Sequence, residues 1–178
     1  MAMSIPQWTL LGFAAWTLLL LVATVGVYRW GMILFRGAAV GSFRSDQLEG
    51  AEWYQRGVRA HANCVENLPV FGAIVLVLSV AGIRGGMIDT LCVLLLAARV
   101  CQSLVHLSRR QTDAIVAVRF SFFSVQLLCF LALIIIAARY DGDLRGARAE
   151  GDRHAVKPAV RRLDNHRPRP FMINHTVN

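Results

Sequence analysis

Four long apolar segments, separated by shorter polar ones, dominate the pattern of the chain. They cover residues 8–30, 58–83, 87–107 and 114–139. Each is as long as the roughly 20 residues that an α-helix needs to cross a hydrocarbon core of about 30 Å. The pattern therefore predicts an all-α integral membrane protein that folds as a four-helix bundle.

The links between the later segments are short, which makes neighbouring helices antiparallel. From residue 141 onward the chain becomes charged, contains prolines and is poor in aliphatic residues. Such a segment cannot bury enough apolar surface to offset the entropy lost on ordering. We therefore expect a membrane domain over residues 1–140 and a basic, disordered tail over residues 141–178.

Composition supports a membrane protein and excludes an ordinary soluble domain. Of the 178 residues 56% are hydrophobic, and the mean hydropathy is +0.49. We expect a multi-pass protein, which in a bacterium would reside in the inner membrane. The net charge is +8, but the arginines are spread over loops, helices and tail. This distribution argues against nucleic acid as a partner and favours the lipid bilayer or a small acidic molecule.

The four cysteines all lie in predicted spans and lack metal-ligand spacing with any histidine, so the sequence predicts no metal site.

A stripe of polar residues lies at the start of the second apolar segment, within RGVRAHANCVEN. Its members are Arg56, Arg59, Asn63 and Glu66, which fall within an arc of roughly 80° on one helical face. A charged side chain near the bilayer centre costs about 2.5–3.5 kcal/mol on insertion scales. Ionisable residues there usually face the inside of a bundle and have a function.

Two further polar clusters are predicted at the same depth. Because the spans alternate in direction, the second span begins, the third ends and the fourth begins on one side of the membrane. Near the end of the third span, one helical face carries Arg99, Gln102, Ser103 and His106. Arg119 lies early in the fourth span, with Gln126 two turns further on the same face. We expect the three clusters to meet in one leaflet and form one site.

The combined cluster contains more arginines than carboxylates, which favours an anionic ligand. Arginine forks bind carboxylates, the Asn63 amide pairs with amides, and Glu66 can accept hydrogen bonds from an ammonium group. A peptide such as glutathione carries all of these groups. The alternative is that the arginines and Glu66 pair across helices and hold the bundle together without any ligand.

Two segments resemble a known family. RGVRAHANCVENLPVF closely resembles the second-helix signature of the MAPEG superfamily, the membrane-associated proteins in eicosanoid and glutathione metabolism, and AARVCQSLVHL resembles its third-helix segment. The resemblance covers the four spans and not the tail. It implies a homotrimer of four-helix chains that binds glutathione between neighbouring subunits, near the cytoplasmic leaflet. The residues that fall on matching family positions are Arg56, Arg59, Asn63, Glu66, Arg99 and Arg119.

Residues and resemblance together predict a membrane-bound glutathione transferase or peroxidase that acts on lipophilic electrophiles taken from the bilayer. Arg119 is the candidate catalytic residue, because a guanidinium can stabilise the thiolate that acts as the nucleophile. The expected glutathione-binding residues are Arg56, Arg59 and Glu66 at the charged ends of the peptide, Asn63 and Gln102 at its amides, and Arg99 and His106 beside them.

Other functions stay open because the chain departs from the family pattern. Ala62 stands where an arginine is frequent, and His106 and Phe123 stand where tyrosines are found. The second hypothesis is therefore a non-catalytic lipid-binding or scaffold protein with the same cavity, distinguished by its affinity for glutathione. A third, a proton-coupled exporter with Glu66 as relay, is less favoured because Arg59 would keep Glu66 ionised.

Overall fold

The computed structural model describes residues 2–39, 41, 43, 50–108 and 112–165, and it describes side chains up to residue 140. The helices in this part of the chain are α1 (Ile5–Leu20), a π-helix (Leu21–Gly26), α2 (Val27–Arg36), α3 (Glu52–Val80), α4 (Gly86–Ser108) and α5 (Asp113–Asn165). Within the described residues, four stretches are long and apolar enough to cross a membrane: Ile5–Arg36, Glu52–Val80, Gly86–Ser108 and Asp113–Tyr140. The predicted four-span helical fold is confirmed.

The first span extends further than the sequence predicts. Gly31 lies inside α2 rather than in a loop. The helix stops only at Gly37, which adopts a left-handed φ of 62°, and the backbone N–H of Ala38 donates to the Met32 carbonyl over 3.2 Å. Glycine tolerates this conformation because it has no Cβ, and the helix ends there for that reason.

Helix α5 also continues past the predicted end of the fourth span. It ends at Asn165. The chain divides into two compact units, Met1–Ala137 and Ala138–Asn178. Residues 166–178 of the tail lie outside the described residues, and both the domain boundary at residue 140 and the disordered tail stay predictions.

Aromatic rings connect three spans in the apolar half of the bundle. The Phe71 ring of α3 lies 5.9 Å from the Phe13 ring of α1, centroid to centroid, and 6.3 Å from the Phe130 ring of α5. Leu95 of α4 and Leu133 of α5 are fully buried in the same cluster. Lipid tails are as apolar as these side chains, so close packing rather than escape from water holds the helices together here.

Buried threonines follow one face of the first span. The hydroxyl groups of Thr9, Thr17 and Thr24 donate to the carbonyls of Pro6, Phe13 and Leu20, over 2.9, 2.9 and 2.5 Å. Each hydroxyl thus bonds to its own helix and needs no partner from another span. The face can therefore pack against α3 and α4 without leaving a polar group unsatisfied.

The first span and α3 approach closely where Thr24, in the π-helix, meets Gly57 of α3. A Cβ atom added to Gly57 would lie 2.5 Å from the Cβ of Thr24. Only glycine allows this approach, as small residues do at other membrane helix interfaces. Because Gly57 lies between Arg56 and Arg59, the contact fixes the start of the polar stripe against the bundle.

We expect Gly57→Ala to destabilise the protein, since the added methyl group has no room and the helix backbones must separate. Overpacking of this kind costs about 1–3 kcal/mol. Thermal unfolding in detergent, followed by circular dichroism, measures the loss. The matched control is Gly31→Ala, because a Cβ at Gly31 meets nothing within 4 Å. Equal melting temperatures for the two variants would contradict the proposed contact.

Candidate functional site

Polar side chains from α3 and α4 face one another across a narrow gap. Ala60 and Asn63 line it from α3, and the α4 residues are Arg99, Gln102, Ser103 and His106. The α4 residues are spaced three, four and seven apart, so they share one helical face, and all of them are buried. Ala60 is small and lets this face approach α3. Within the single chain the gap is too narrow to hold a water molecule.

Arg99 is the most deeply buried charge described. Its side chain is 1% exposed, and its guanidinium carbon lies 5.6 Å from the centre of the Phe13 ring, within reach of a cation–π interaction. Its Nε and Nη2 have no hydrogen-bond partner in the described part of the chain. Glu66 is close enough for its charge to act on Arg99, yet the described residues show no ion pair between them. Among the described residues, the buried guanidinium thus has no counter-charge in direct contact.

Gln102 connects α4 to α5 through its amide. Its Nε2 donates to the Arg119 carbonyl over 3.2 Å, and its Oε1 accepts a hydrogen bond from Gln126 Nε2 over 3.0 Å. Gln126 Nε2 also donates to the Phe122 carbonyl over 2.9 Å. The Gln102 amide is therefore used inside the bundle, whereas Gln126 Oε1 is buried and has no partner among the described residues.

Arg56 fastens the start of α3 to the end of α4. Its Nε donates to the Leu107 carbonyl over 3.2 Å, and its Nη1 lies 3.5 Å from Oε2 of Glu52, one helical turn away. The carbonyls in the last turn of a helix lack intrahelical partners, so Arg56 caps α4. Any ligand that uses Arg56 must share it with this contact.

His106 and Arg119 lie in a strongly basic environment. The charges of Arg119, Arg59 and Arg56 all act on the His106 ring, and that of Arg59 acts on Arg119. Nδ1 of His106 and Nε of Arg119 are buried without a hydrogen-bond partner among residues that the structure describes. Together with Arg99 of α4, positive charge from three spans therefore accumulates in this half of the bundle, beside nitrogens that have no partner among the described residues.

Arg59 and Glu66 occupy the outer part of the α3 stripe and are both exposed in the single chain. The described residues show no ion pair that joins Arg59, Glu66, Arg99 or Arg119 to one another. The alternative in which these groups hold the bundle together by pairing across helices thus gains no support from this part of the structure. Instead, two charged groups at membrane depth face outward.

Comparison with known families supplies the identification. A model of the MAPEG family matches residues 8–139, which include all four spans and every candidate site residue. The chain belongs to the MAPEG family. It is therefore an integral, multi-pass membrane protein of a family involved in eicosanoid and glutathione metabolism. Comparison with curated proteins and with solved structures gives no match.

Three contacts in this MAPEG chain involve residues to which the sequence analysis gave no binding or catalytic role. Phe13 supports Arg99, Gln126 bonds to Gln102, and Sγ of Cys64 lies 3.6 Å from Oγ of Ser103. Helical periodicity places Gln126 on the Arg119 face, which is a usable signal. No such signal exists for Phe13, because the periodicity of α4 does not reveal which ring on another helix Arg99 meets.

We expect Gln126→Leu to lower the free energy of unfolding by about 1 kcal/mol, since it leaves the buried Gln102 Oε1 without its donor. Thermal melting in detergent measures the effect. When Gln102→Leu is added to Gln126→Leu, the further loss of unfolding free energy should be smaller than the loss that Gln102→Leu causes in the parent, because both polar partners are then removed. Ser121→Ala, at an exposed hydroxyl of α5, is the control. Strict additivity would show that the amide pair contributes nothing.

Proposed function

We propose that this MAPEG protein binds glutathione in the basic half of the bundle and uses its thiol to conjugate or reduce lipophilic electrophiles. The observation that carries the proposal is Arg99, which is buried at membrane depth with two nitrogens unpartnered among the described residues. A guanidinium in that position is costly unless an anion accompanies it. The carboxylates of a small peptide meet this requirement.

The charges of the site complement those of glutathione. Arg59, Arg99 and Arg119 are available for two carboxylates and a thiolate, while Glu66 is the carboxylate of the stripe and suits the ammonium group. Asn63 and His106 line the gap and have polar atoms for the peptide amides. Arg56 and Gln102 already have partners within the bundle, so they contribute mainly by holding α3, α4 and α5 in place.

The size of the gap supports a site that is shared between chains. It is too narrow for a tripeptide, whereas Arg59 and Glu66 lie on the outer face of α3. Exposed charges at membrane depth need to be covered. We propose that a neighbouring copy in a homotrimer covers this face and encloses the peptide between two subunits. In a bacterium the assembly would reside in the inner membrane.

Arg119 is the proposed catalytic residue. A thiol with an ordinary pKa of about 8.5 is mostly protonated at neutral pH, and the thiolate is the nucleophile. With Arg119 beside it, the thiol releases its proton to solvent, and the sulfur attacks an electrophilic carbon. A C–S bond forms, and the electron pair leaves with the departing group. In the reductive reaction, the sulfur attacks the terminal oxygen of a hydroperoxide, the O–O bond breaks, and the alkoxide leaves and takes up a proton to become the alcohol. A second glutathione then condenses with the resulting sulfenic acid to give the disulfide and water.

The surface beside Arg119 suits an apolar substrate. Phe120 and Phe123 are 67% and 40% exposed, and their ring centroids lie 6.4 Å apart. A substrate dissolved in the bilayer can reach these rings directly, since its concentration is highest in the hydrocarbon. In this proposal the thiolate beside Arg119 lies next to the membrane phase that supplies the electrophile.

We expect Glu66→Gln to weaken glutathione binding about tenfold or more, because it removes a charge-assisted hydrogen bond to the ammonium group. Isothermal titration calorimetry of the detergent-solubilised protein measures the change. Asp113→Asn removes an exposed carboxylate at the start of α5 and serves as the matched control. A Glu66→Gln variant that melts like the parent and binds glutathione equally well would place the site elsewhere.

Replacing Arg119 by glutamine separates an enzyme from a binding protein. We expect the pKa of the bound glutathione thiol to lie below its solution value in the parent and about one pH unit higher in Arg119→Gln, a difference of about 1.36 kcal/mol. Turnover should fall more than affinity, because the interaction strengthens as negative charge forms. Thiolate absorbance against pH, with both proteins saturated, measures this.

Arg36→Gln, which removes an exposed arginine at the end of α2, is the control for this experiment. Identical titrations of the parent and Arg119→Gln, both centred on the solution value, would remove Arg119 as activator. If the protein binds glutathione but the two titrations are identical, the result favours a non-catalytic binding protein.

A further inference from the structure

A second cavity, of about 270 Å³, lies at the opposite end of the bundle from the basic cluster. It is formed where α1 begins, α3 ends and α4 begins, so it lies at the other membrane surface. Its polar lining comprises Ser4, Gln7, Ser79, Arg84 and Asp89. Asp89 and Arg99 are about 15 Å apart along α4. The cavity is therefore independent of the proposed glutathione site.

Hydrogen bonds fix one wall of the cavity. The backbone N–H of Ser4 donates to Gln7 Oε1 over 2.9 Å, and Gln7 Nε2 donates to Ser79 Oγ over 3.3 Å. The first of these bonds caps the N-terminus of α1. The second ties that N-terminus to the last turn of α3. The polar groups on this wall are thus held at the boundary of the two helices.

The turn after α3 fixes the opposite wall. Gly82 adopts a left-handed φ of 69°, and the backbone N–H of Ile83 donates to the Leu78 carbonyl over 2.9 Å. Both Leu78 and Ile83 are buried. This is the bonding pattern of a Schellman motif, including its apolar contact. Arg84 follows Ile83 directly, so this motif fixes the position of the Arg84 backbone at the mouth of the cavity.

Arg84 and Asp89 bring opposite charges to the same cavity without pairing. Arg84 is exposed and Asp89 is half-buried. Among the residues that the structure describes, neither side chain has an ion-pair or hydrogen-bond partner. A carboxylate in the first turn of α4 is stabilised by the helix dipole. The dipole does not account for the cavity or for an arginine beside it.

We propose that this cavity binds the headgroup of an amine-bearing phospholipid, with Arg84 on the phosphate and Asp89 on the ammonium group. The N-termini of α1 and α4 both lie here, and their partial positive charge also favours a phosphate. Met3 and Ile5 line the same cavity and are 45% and 47% exposed. These apolar side chains at the rim favour a ligand with acyl chains over a soluble zwitterion.

Lipid retention by the full-length protein tests the proposal. The detergent-solubilised protein is titrated with dioleoyl phosphatidylethanolamine, phosphatidylcholine or phosphatidylglycerol, and native mass spectrometry measures the bound lipid. We expect the ethanolamine lipid to bind at least tenfold more tightly than the glycerol lipid, which has no ammonium group. Asp89→Asn should abolish this preference, Asp89→Glu should retain it, and Arg84→Gln should weaken binding of all three lipids.

Two exposed residues outside the cavity provide charge-matched controls, Asp113→Asn and Arg36→Gln, and both should bind lipid like the parent. Soluble phosphoethanolamine is titrated separately and should bind at least tenfold more weakly than the lipid. Equal retention of the three lipids by the parent, or equal losses in the cavity variants and the controls, would overturn the site. Equally tight binding of phosphoethanolamine would overturn the assignment to a lipid. Size-exclusion chromatography confirms that each variant is folded.

Discussion

Inside a bilayer no water can replace a missing hydrogen bond, so every polar group must find its partner within the protein. The threonines of the first span meet this requirement within their own helix. Gln102 and Gln126 meet it across two helices. Arg99 does not meet it fully, since two of its nitrogens stay unpartnered among the described residues. The function proposed for this chain depends on that difference.

The same four spans build two halves with different physical properties. In one half, rings and aliphatic side chains such as Phe71 and Leu95 pack into one apolar cluster. In the other half, small residues such as Gly57 and Ala60 bring charged and amide side chains close together. The packed half holds the helices at fixed spacing. The polar half can therefore keep donors in place that are not all used within the chain.

Much of the fold follows from periodicity, because a span needs only length and apolarity. The convergence of Asn63, Arg99, Gln102 and His106 also follows, because alternating direction sets their depth and helical spacing sets their face. The outward position of Arg59 and Glu66 does not follow. Residues within one 80° arc look equivalent along a single helix, and only the neighbouring helices decide which of them are covered. For the same reason, the contact between Phe13 and Arg99 could not be predicted from the sequence.

A local departure from regular α-helix could also not be predicted from the sequence. The π-helix at Leu21–Gly26 contains no proline or pattern that marks it, and it forms where Thr24 meets Gly57. The sequence does not locate this π-helix, because composition over a window averages out the few contacts that decide the conformation of a single turn.

The contact between Arg99 and Phe13 has a consequence for biosynthesis. A chain is made from its N-terminus, so the ring of Phe13 enters the membrane with the first span, well before the third. When α4 inserts, its arginine can leave the aqueous path and meet an aromatic face already in place. The cost of inserting a guanidinium, about 2.5–3.5 kcal/mol at a helix centre, is then partly offset during insertion. Phe13 thus precedes Arg99 along the chain and also in the order of insertion into the membrane.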